Sequence, residues 1–484
     1  MYPTLYGVIV IIAGMVLYFR PAAQTLGFVA VCSLFAGAAA VDLPALGGSS
    51  IPPALLALAF LGLRLLRRDV MRTRALAVAL EKNAWLLIFC IYCAATALIL
   101  PRMFAGKVDL IPMGASGLGF VPLHITAQNT TTAVYLLGTG FVAAAATAVG
   151  TLPKSLPTMI KVFIAVTWIH IGTGLADEVL SLVHLQGVFD IFRNGSYAQL
   201  DQGVGSLHRI SALCPEPSVY ATLGTVYFVF MCELWLRGIV SKKTGPAALV
   251  MLLVLVLTTS SSAYIAIAAY GMLLILRSLF IPGSITADRA IKMVIVSILG
   301  VTGALVLMIV HPALATELGG IIADMTVNKA QSHSGLERAS WAKQGFTALA
   351  ASHGLGVGVG SFRSSSLITA ILGSVGPAGL LVFIGYCVHV AKVTRKSSYI
   401  VKVDERKGAG AAAAWTAIIV LAPEALTWAS SDPGLLFALM AGLSLGWRAN
   451  PVVIPDRSLK TKPTFGRENG VRYGVGMKSS PGAR

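Results

Sequence analysis

Along this chain apolar residues come in long blocks rather than in alternating or heptad stripes. Blocks close to the roughly 20 residues a helix needs to cross a bilayer recur from end to end, parted by short polar or Pro/Gly joints. They predict thirteen spans, at about 4–19, 22–41, 51–66, 83–100, 131–150, 158–175, 217–236, 246–258, 261–280, 291–310, 367–391, 411–428 and 433–447. Only Arg20-Pro21 parts the first two. Two long polar stretches interrupt the series, at about 176–216 and 311–366, and a third, 101–130, is rich in Gly and Pro with few charges. Inside the second, Leu336, Trp341, Phe346 and Leu349 alternate with polar positions and predict a helix over 334–351. From 449 to 484 apolar residues give way to Gly, Ser, Pro and basic ones, so this tail is expected to be disordered.

Composition agrees with this reading. Apolar residues make up 56% of 484, charged residues 12%, and the mean hydropathy is +0.79. Such a chain has too little polar surface for a soluble protein. The expectation is an all-α polytopic membrane protein of about 12–13 transmembrane helices, a single domain over 1–448, with short helices in its long loops. Of its 37 Lys and Arg residues only eight fall on one side of the predicted spans: Arg102, Lys107, Arg193, Arg209, Lys329, Arg338, Lys343 and Arg363. The rest, the tail included, mark the cytoplasmic side, and both long loops are therefore outer. The net charge of +17 is topological and calls for no nucleic acid. Its basic inner loops suit anionic lipid headgroups. The first apolar block lacks a basic leader and an A-x-A site, and is expected to be a span rather than a cleaved signal. Five of six cysteines lie within spans and only Cys214 in an outer loop, which leaves no outer disulfide to draw. Cys90 and Cys93 have a redox-like spacing, but an apolar helix without nearby His predicts packing.

Candidate chemistry gathers in the outer loops. His208 to Ser218 is a charged, proline-fixed segment running straight into span seven. Pro215 and Pro217 flank Glu216, and Pro217 suits the first turn of a helix. Glu216 then sits at the positive helix end, either as a capping carboxylate or as a rigidly held base beside the Arg209 anion clamp. The second loop offers His333, Glu337, Arg338, Trp341, Lys343, His353 and Arg363, with His333 a second candidate base and Trp341 either an interfacial anchor or a ligand platform. Gly354-Leu-Gly-Val-Gly-Val-Gly360 lacks dinucleotide spacing, yet its alternating glycines could bring the amides of Gly358 and Gly360 against a phosphate, with Arg363 three residues beyond. Glu233 is expected to snorkel toward Arg237, and Glu424 to face an outer cavity. Back-bonding to the helix accounts for the hydroxyls from Thr258 to Ser262. No D-x-D, H-E-x-x-H, Walker loop or G-x-S-x-G occurs, which argues against metal-chelated nucleotide-sugar chemistry and ATP-driven transport; no metal and no cofactor is expected.

Two of these segments resemble the bacterial O-antigen polymerase and O-antigen ligase superfamily, which includes exopolysaccharide polymerases. Arg209 to Ser218 is similar to the family's R…EP[SN] entry into a span. Arg338-x-x-Trp341 with Gly356-Val-Gly-Val-Gly-Ser-Phe362 resembles its Arg/Trp helix and glycine turn, although the Arg-to-Trp spacing here is three. Thr258 to Ser262 also fits a family position. The likeness covers about 170–390. It implies a GT-C-like helical fold and a glycosyltransferase of the bacterial inner membrane, working on undecaprenyl-pyrophosphate-linked oligosaccharides at the periplasmic face, with a chain-length-regulating membrane protein as candidate partner. Ligases usually carry a His after the glycine turn; here Arg363-Ser-Ser-Ser-Leu367 has none, which favours a polymerase over a ligase. In this reading Arg209, Arg338 and Arg363 bind pyrophosphate, Glu216 or His333 is the base, and Trp341, Gly358 and Gly360 contact substrate. Joining repeat units needs no metal, because pyrophosphate is already a good leaving group. A non-catalytic transporter of lipid-linked glycan is the reading from another class; it would place charges deep in several spans, and few occur.

Overall fold

The computed structural model describes residues 2–43, 49–67, 70–113, 119–195, 203–204, 207–281, 285–310, 316, 319–320, 333–392 and 404–451. The tail predicted to be disordered lies outside them from 452 onward. All described residues belong to one compact unit, Met1–Val452.

The chain is a multi-pass, almost wholly helical membrane protein. Its helices are α1 (Leu5–Tyr18), α2 (Ala22–Cys32), α3 (Pro53–Leu66), α4 (Val70–Lys82), α5 (Ala84–Met103), α6 (Ala127–Thr151), α7 (Ser155–Leu182), α8 (Pro217–Leu236), α9 (Ser241–Leu257), α10 (Ser261–Phe280), α11 (Ala287–Val310), α12 (His333–Ala351), α13 (Leu367–Ala391), α14 (Glu405–Thr427) and α15 (Leu435–Arg448). Each of the thirteen apolar blocks falls on a helix, and among the described residues eight helices are long and apolar enough to cross a bilayer: α5, α6, α7, α8, α10, α11, α13 and α14. A helix satisfies its own backbone polar groups, as a segment in hydrocarbon must. Among the described residues sheet is confined to short antiparallel pairs, of which β1 (Tyr2–Pro3), β2 (Val41–Leu43) and β3 (Ser49–Ile51) join the ends of α1, α2 and α3.

Small residues set the tightest packing. Ala143 to Gly150 of α6 form a smooth face on which α15 lies so close that a Cβ on Gly442 would come 2.3 Å from the Ala143 carbonyl oxygen. Polar side chains bind across this core. The Thr147 hydroxyl donates to the Gly442 carbonyl, Asn83 Nδ2 donates to Thr147, and the Tyr386 hydroxyl donates to Asn83 Oδ1. At the end assigned to the cytoplasm, basic side chains close helix ends. Arg64 Nε donates to the Arg20 carbonyl at 2.8 Å, and Arg406 donates to the carbonyls of Trp447 and Gly150.

Four sequence expectations need correction. The second span stops at Cys32, not 41: after a few local turn bonds the chain finds partners elsewhere, Gly37 N–H donating to the Leu213 carbonyl, Ala39 N–H to Asn194 Oδ1 and Ala40 N–H to the Ile51 carbonyl. The basic linker after α3 holds a further helix, α4, whose Ala75 and Ala79 are one turn apart and bury against Ala144 and Ala148. The first long loop begins later than expected, because α7 runs on to Leu182. Glu233 does not snorkel: it is fully buried, accepting from Arg237, from Tyr270 at 2.9 Å and from Arg277 at 2.8 Å.

The glycine run has a structural reason. In α13 Pro377 has no N–H, so the carbonyl of Gly373, four residues earlier, loses its helical donor. Val357 N–H supplies one at 2.9 Å, and Gly358 N–H donates to the neighbouring Ser374 carbonyl at 2.8 Å. The kink turns on Gly376, at φ +68, where a Cβ would lie 2.2 Å from the Gly354 carbonyl oxygen. Gly376→Ala therefore meets both a clash and a left-handed backbone. It is expected to destabilise the protein by ~1–3 kcal/mol, read as a lower thermal midpoint in detergent, whereas Ala substitution at Gly271, where a Cβ meets nothing within 4 Å, leaves the midpoint near wild type.

Candidate functional site

Three arginines from separate parts of the sequence converge above this bundle. Arg209 precedes α8, Arg338 lies in the second turn of α12, and Arg363 follows the glycine run; all three are half-buried. Arg338 stands between the others. It is close enough to Arg209 for the like charge to depress the Arg209 pKa, and it feels Arg363 in the same sense. For both Arg209 and Arg338 burial is the main cause of a pKa below the usual arginine value, and the Glu216 carboxylate offsets part of it. Glu216 therefore faces the same space.

The charges are left open toward a ligand. Among the described residues none of the three arginines closes an ion pair within 4.0 Å, and the Nε atoms of Arg209 and Arg363 are buried without a hydrogen-bond partner. Glu216 is the N-cap residue of α8 but caps with its backbone only. Its carbonyl accepts from Val219 and Tyr220, while the carboxylate accepts from the Ser218 hydroxyl at 2.9 Å and keeps its other oxygen uncommitted. Pro217 occupies the first helical turn, as expected from its fixed φ and missing N–H.

The support of each group is traceable. The Arg363 backbone is bracketed by Ile111, whose carbonyl accepts its N–H at 3.0 Å, and by Gln344, whose Nε2 donates to the Arg363 carbonyl at 3.3 Å while its Oε1 accepts from Ile111 N–H at 2.5 Å. The guanidinium lies over the Trp341 ring, 4.1 Å from its centroid. Trp341 thus serves as the floor beneath Arg363 rather than an outward anchor. Ser365 Oγ donates to the Arg338 carbonyl at 2.5 Å and ties α12 to the segment carrying Arg363.

Below Arg209 the loop rests on a buried carboxylate. Asp177, on the last turns of α7, accepts through Oδ2 from the amides of Ser211 and Ala212, both at 2.9 Å. Two successive amides on one oxygen form an anion-binding nest. They hold Ala212 at φ +45, a conformation costly for a residue with a Cβ. Arg193 completes the base: its Nε donates to the Ala212 carbonyl at 2.7 Å, and a terminal nitrogen lies 3.6 Å from Asp177 Oδ1. Sequence reasoning missed this pair. The available signal was an acidic residue within reach of the end of an apolar run.

Other predicted positions fall differently. The side chain of His333, at the start of α12, lies outside the described residues, as does that of His208. Gly358 and Gly360 are buried against helices: the Gly358 amide is taken by Ser374, and a Cβ on Gly360 would sit 2.5 Å from the Gln128 carbonyl oxygen. Both pack the segment bearing Arg363 against helices, and the Gly358 amide is not open to a phosphate. Asn129 Nδ2 fastens the same segment to α6 by donating to the Val359 carbonyl and Ser361 Oγ. His353 is exposed. Cys90 and Cys93 are buried free thiols in the apolar core. Among the described residues no group of three His, Cys, Asp or Glu side chains could hold a metal.

Arg363 also lines a cavity of about 760 Å³ enclosed by α2, α3, α6, α8 and α14 and the 428–437 segment, and Glu424 of α14 faces it as anticipated. No family model, curated protein or solved structure matches the chain, so the site's chemistry rests on its own geometry.

Proposed function

We propose that this protein is a polysaccharide polymerase of the bacterial inner membrane, joining undecaprenyl-pyrophosphate-linked repeat units at the periplasmic face without a metal. The observation supporting the proposal is that Arg338 sits within charge range of both Arg209 and Arg363, that Glu216 acts on Arg209 and Arg338, and that among the described residues none of the three arginines closes an ion pair. Three half-buried guanidinium groups against one carboxylate hold an excess of positive charge where water is scarce, and planar forks suit pyrophosphate oxygens.

In this reaction the acceptor hydroxyl gives its proton to Glu216 while its oxygen attacks the donor's anomeric carbon. The bond from that carbon to the pyrophosphate oxygen breaks and its electron pair leaves with the pyrophosphate. The arginines stabilise the charge that grows there, an effect strongest where they are fixed in place beforehand. Stacking on Trp341 and the Ile111–Gln344 bracket supply that fixation for Arg363.

Purified protein incubated with lipid-pyrophosphate oligosaccharide tests the proposal. Longer glycan on the same lipid is expected. Glycan on a different acceptor would make the protein a ligase, and the absence of any covalent product would overturn the enzymatic reading.

A further inference from the structure

The cavity that Arg363 enters has a second polar end. Glu424, 3% exposed, lines it from α14, and its Oε2 has no hydrogen-bond partner. Asp432 lies near enough to interact with it electrostatically, in the turn between α14 and α15. Its Oδ1 accepts from the Thr139 hydroxyl at 2.8 Å and from Gly434 N–H at 2.9 Å, which fixes the carboxyl group, and Asp432 too lines the cavity. Ser50, buried and with Oγ unpartnered, faces the same space. Gln128 adds an amide and Trp428 an indole, whose N–H is already given to the Asp432 carbonyl at 2.6 Å. The remaining walls, among them Phe35, Val219 and Leu223, are apolar.

A carboxyl group buried without a partner is costly and persists where a ligand completes its hydrogen bonds. A metal ion is a poor candidate occupant, since no third ligating side chain joins the two carboxyl groups among the described residues. Two carboxyl groups, a hydroxyl, an amide and an aromatic face are instead the mixture of acceptors, donors and apolar surface that a polyhydroxylated ring presents in reverse. Arg363 lines the same cavity.

We propose that the Glu424–Asp432 end of this cavity binds a glycosyl unit through its hydroxyl groups while Arg363 holds the phosphate to which that glycan is attached. The proposal rests on the polymerase reading and deepens it by dividing one ligand between two ends of one cavity. Glu424 and Ser50 bond neighbouring sugar hydroxyls, and Trp428 covers a ring face.

The test compares two probes on full-length protein in nanodiscs: the lipid-linked glycan that accumulates in cells lacking this protein, and undecaprenyl pyrophosphate without sugar. Glu424→Leu is expected to weaken the first at least tenfold and leave the second unchanged, with Glu424→Gln intermediate. Arg338→Ala is expected to weaken both. Equal affinity of Glu424→Leu and wild type for the lipid-linked glycan overturns the sugar site while leaving the polymerase reading in place, and so does an equal loss for both probes. A wild-type protein that binds neither probe removes both. If Glu424→Leu fails to fold, Ser50→Ala and Gln128→Ala carry the same comparison, with the same selective loss expected.

Discussion

Arg338→Ala is expected to lower the turnover of glycan extension about 10²–10³-fold, on the order of 3–4 kcal/mol of transition-state stabilisation, and to leave single lipid-linked repeats in cells. Arg338 earns this rank by its place between Arg209 and Arg363, where it touches the charge of both and of Glu216. The same crowding gives a signature that a merely structural residue would lack. Without a bound anion the three guanidinium groups repel one another in a half-buried setting. Removing the central one relieves that repulsion, so the thermal midpoint of the variant should hold or rise while activity falls, the usual trade between site strain and stability. Inorganic pyrophosphate should raise the midpoint of wild type and do little for the variant. Arg338→Lys keeps the charge but loses the fork, and should fall between the two. Full activity in Arg338→Ala, or a midpoint that falls in step with activity, would remove Arg338 from the anion site. Glu216→Gln supplies the companion case: the Ser218 contact survives, the proton acceptor does not, and turnover should fall by a similar factor with lipid binding retained.

What the sequence made legible follows from what lipid demands. A segment in hydrocarbon must pair its own backbone, so thirteen apolar blocks all became helices, and α8 begins at Pro217 as read, because proline there completes a charged loop and opens a helix. The failures lie where long-range contacts replace that local rule. Phe35, Ala36 and Ala38 to Ala40 are as apolar as the helix before them, yet the amides of Gly37, Ala39 and Ala40 pair with Leu213, Asn194 and Ile51, which no local pattern reveals. Helix α4 is nearly neutral in hydropathy and is held by two alanines. The spacing of the glycine run allows an ordinary turn or a phosphate cradle, whereas the amides of Val357 and Gly358 fill the gap that Pro377 leaves in another helix. Of the site, the kinds of residue were visible but not their meeting: nothing local joins Arg209 to Arg338, 129 positions apart in a chain of 484. Asp177 and Arg193, which hold Arg209 in place, passed as loop charges.

Asp177→Ala is accordingly expected to produce the largest loss of stability of any single change near the site, about 3–5 kcal/mol. The substitution leaves the side chain of Arg193, 3% exposed, with only the half-exposed Asp190 carboxylate at 3.7 Å as counter-charge, and frees the amides of Ser211 and Ala212 from their common acceptor. Ala212 then has nothing to hold it at φ +45, and the turn that presents Arg209 and Glu216 should relax. Activity should therefore fall with the midpoint, in contrast to Arg338→Ala, where the two separate. Asp177→Asn retains an oxygen for the amides but not the charge facing Arg193, and should recover part of the loss. The pair of substitutions Asp177→Ala and Arg193→Met gives the decisive comparison. Breaking a buried pair is costly chiefly because one charge is stranded, so removing the second charge should restore stability even though both ionic groups are gone. Activity should not return with it, because the nest that shapes the loop is still without its anion. A double variant that regains stability and activity together would show that Asp177 and Arg193 merely neutralise each other. One that regains stability alone would establish Asp177 as a positioning residue for the arginine site.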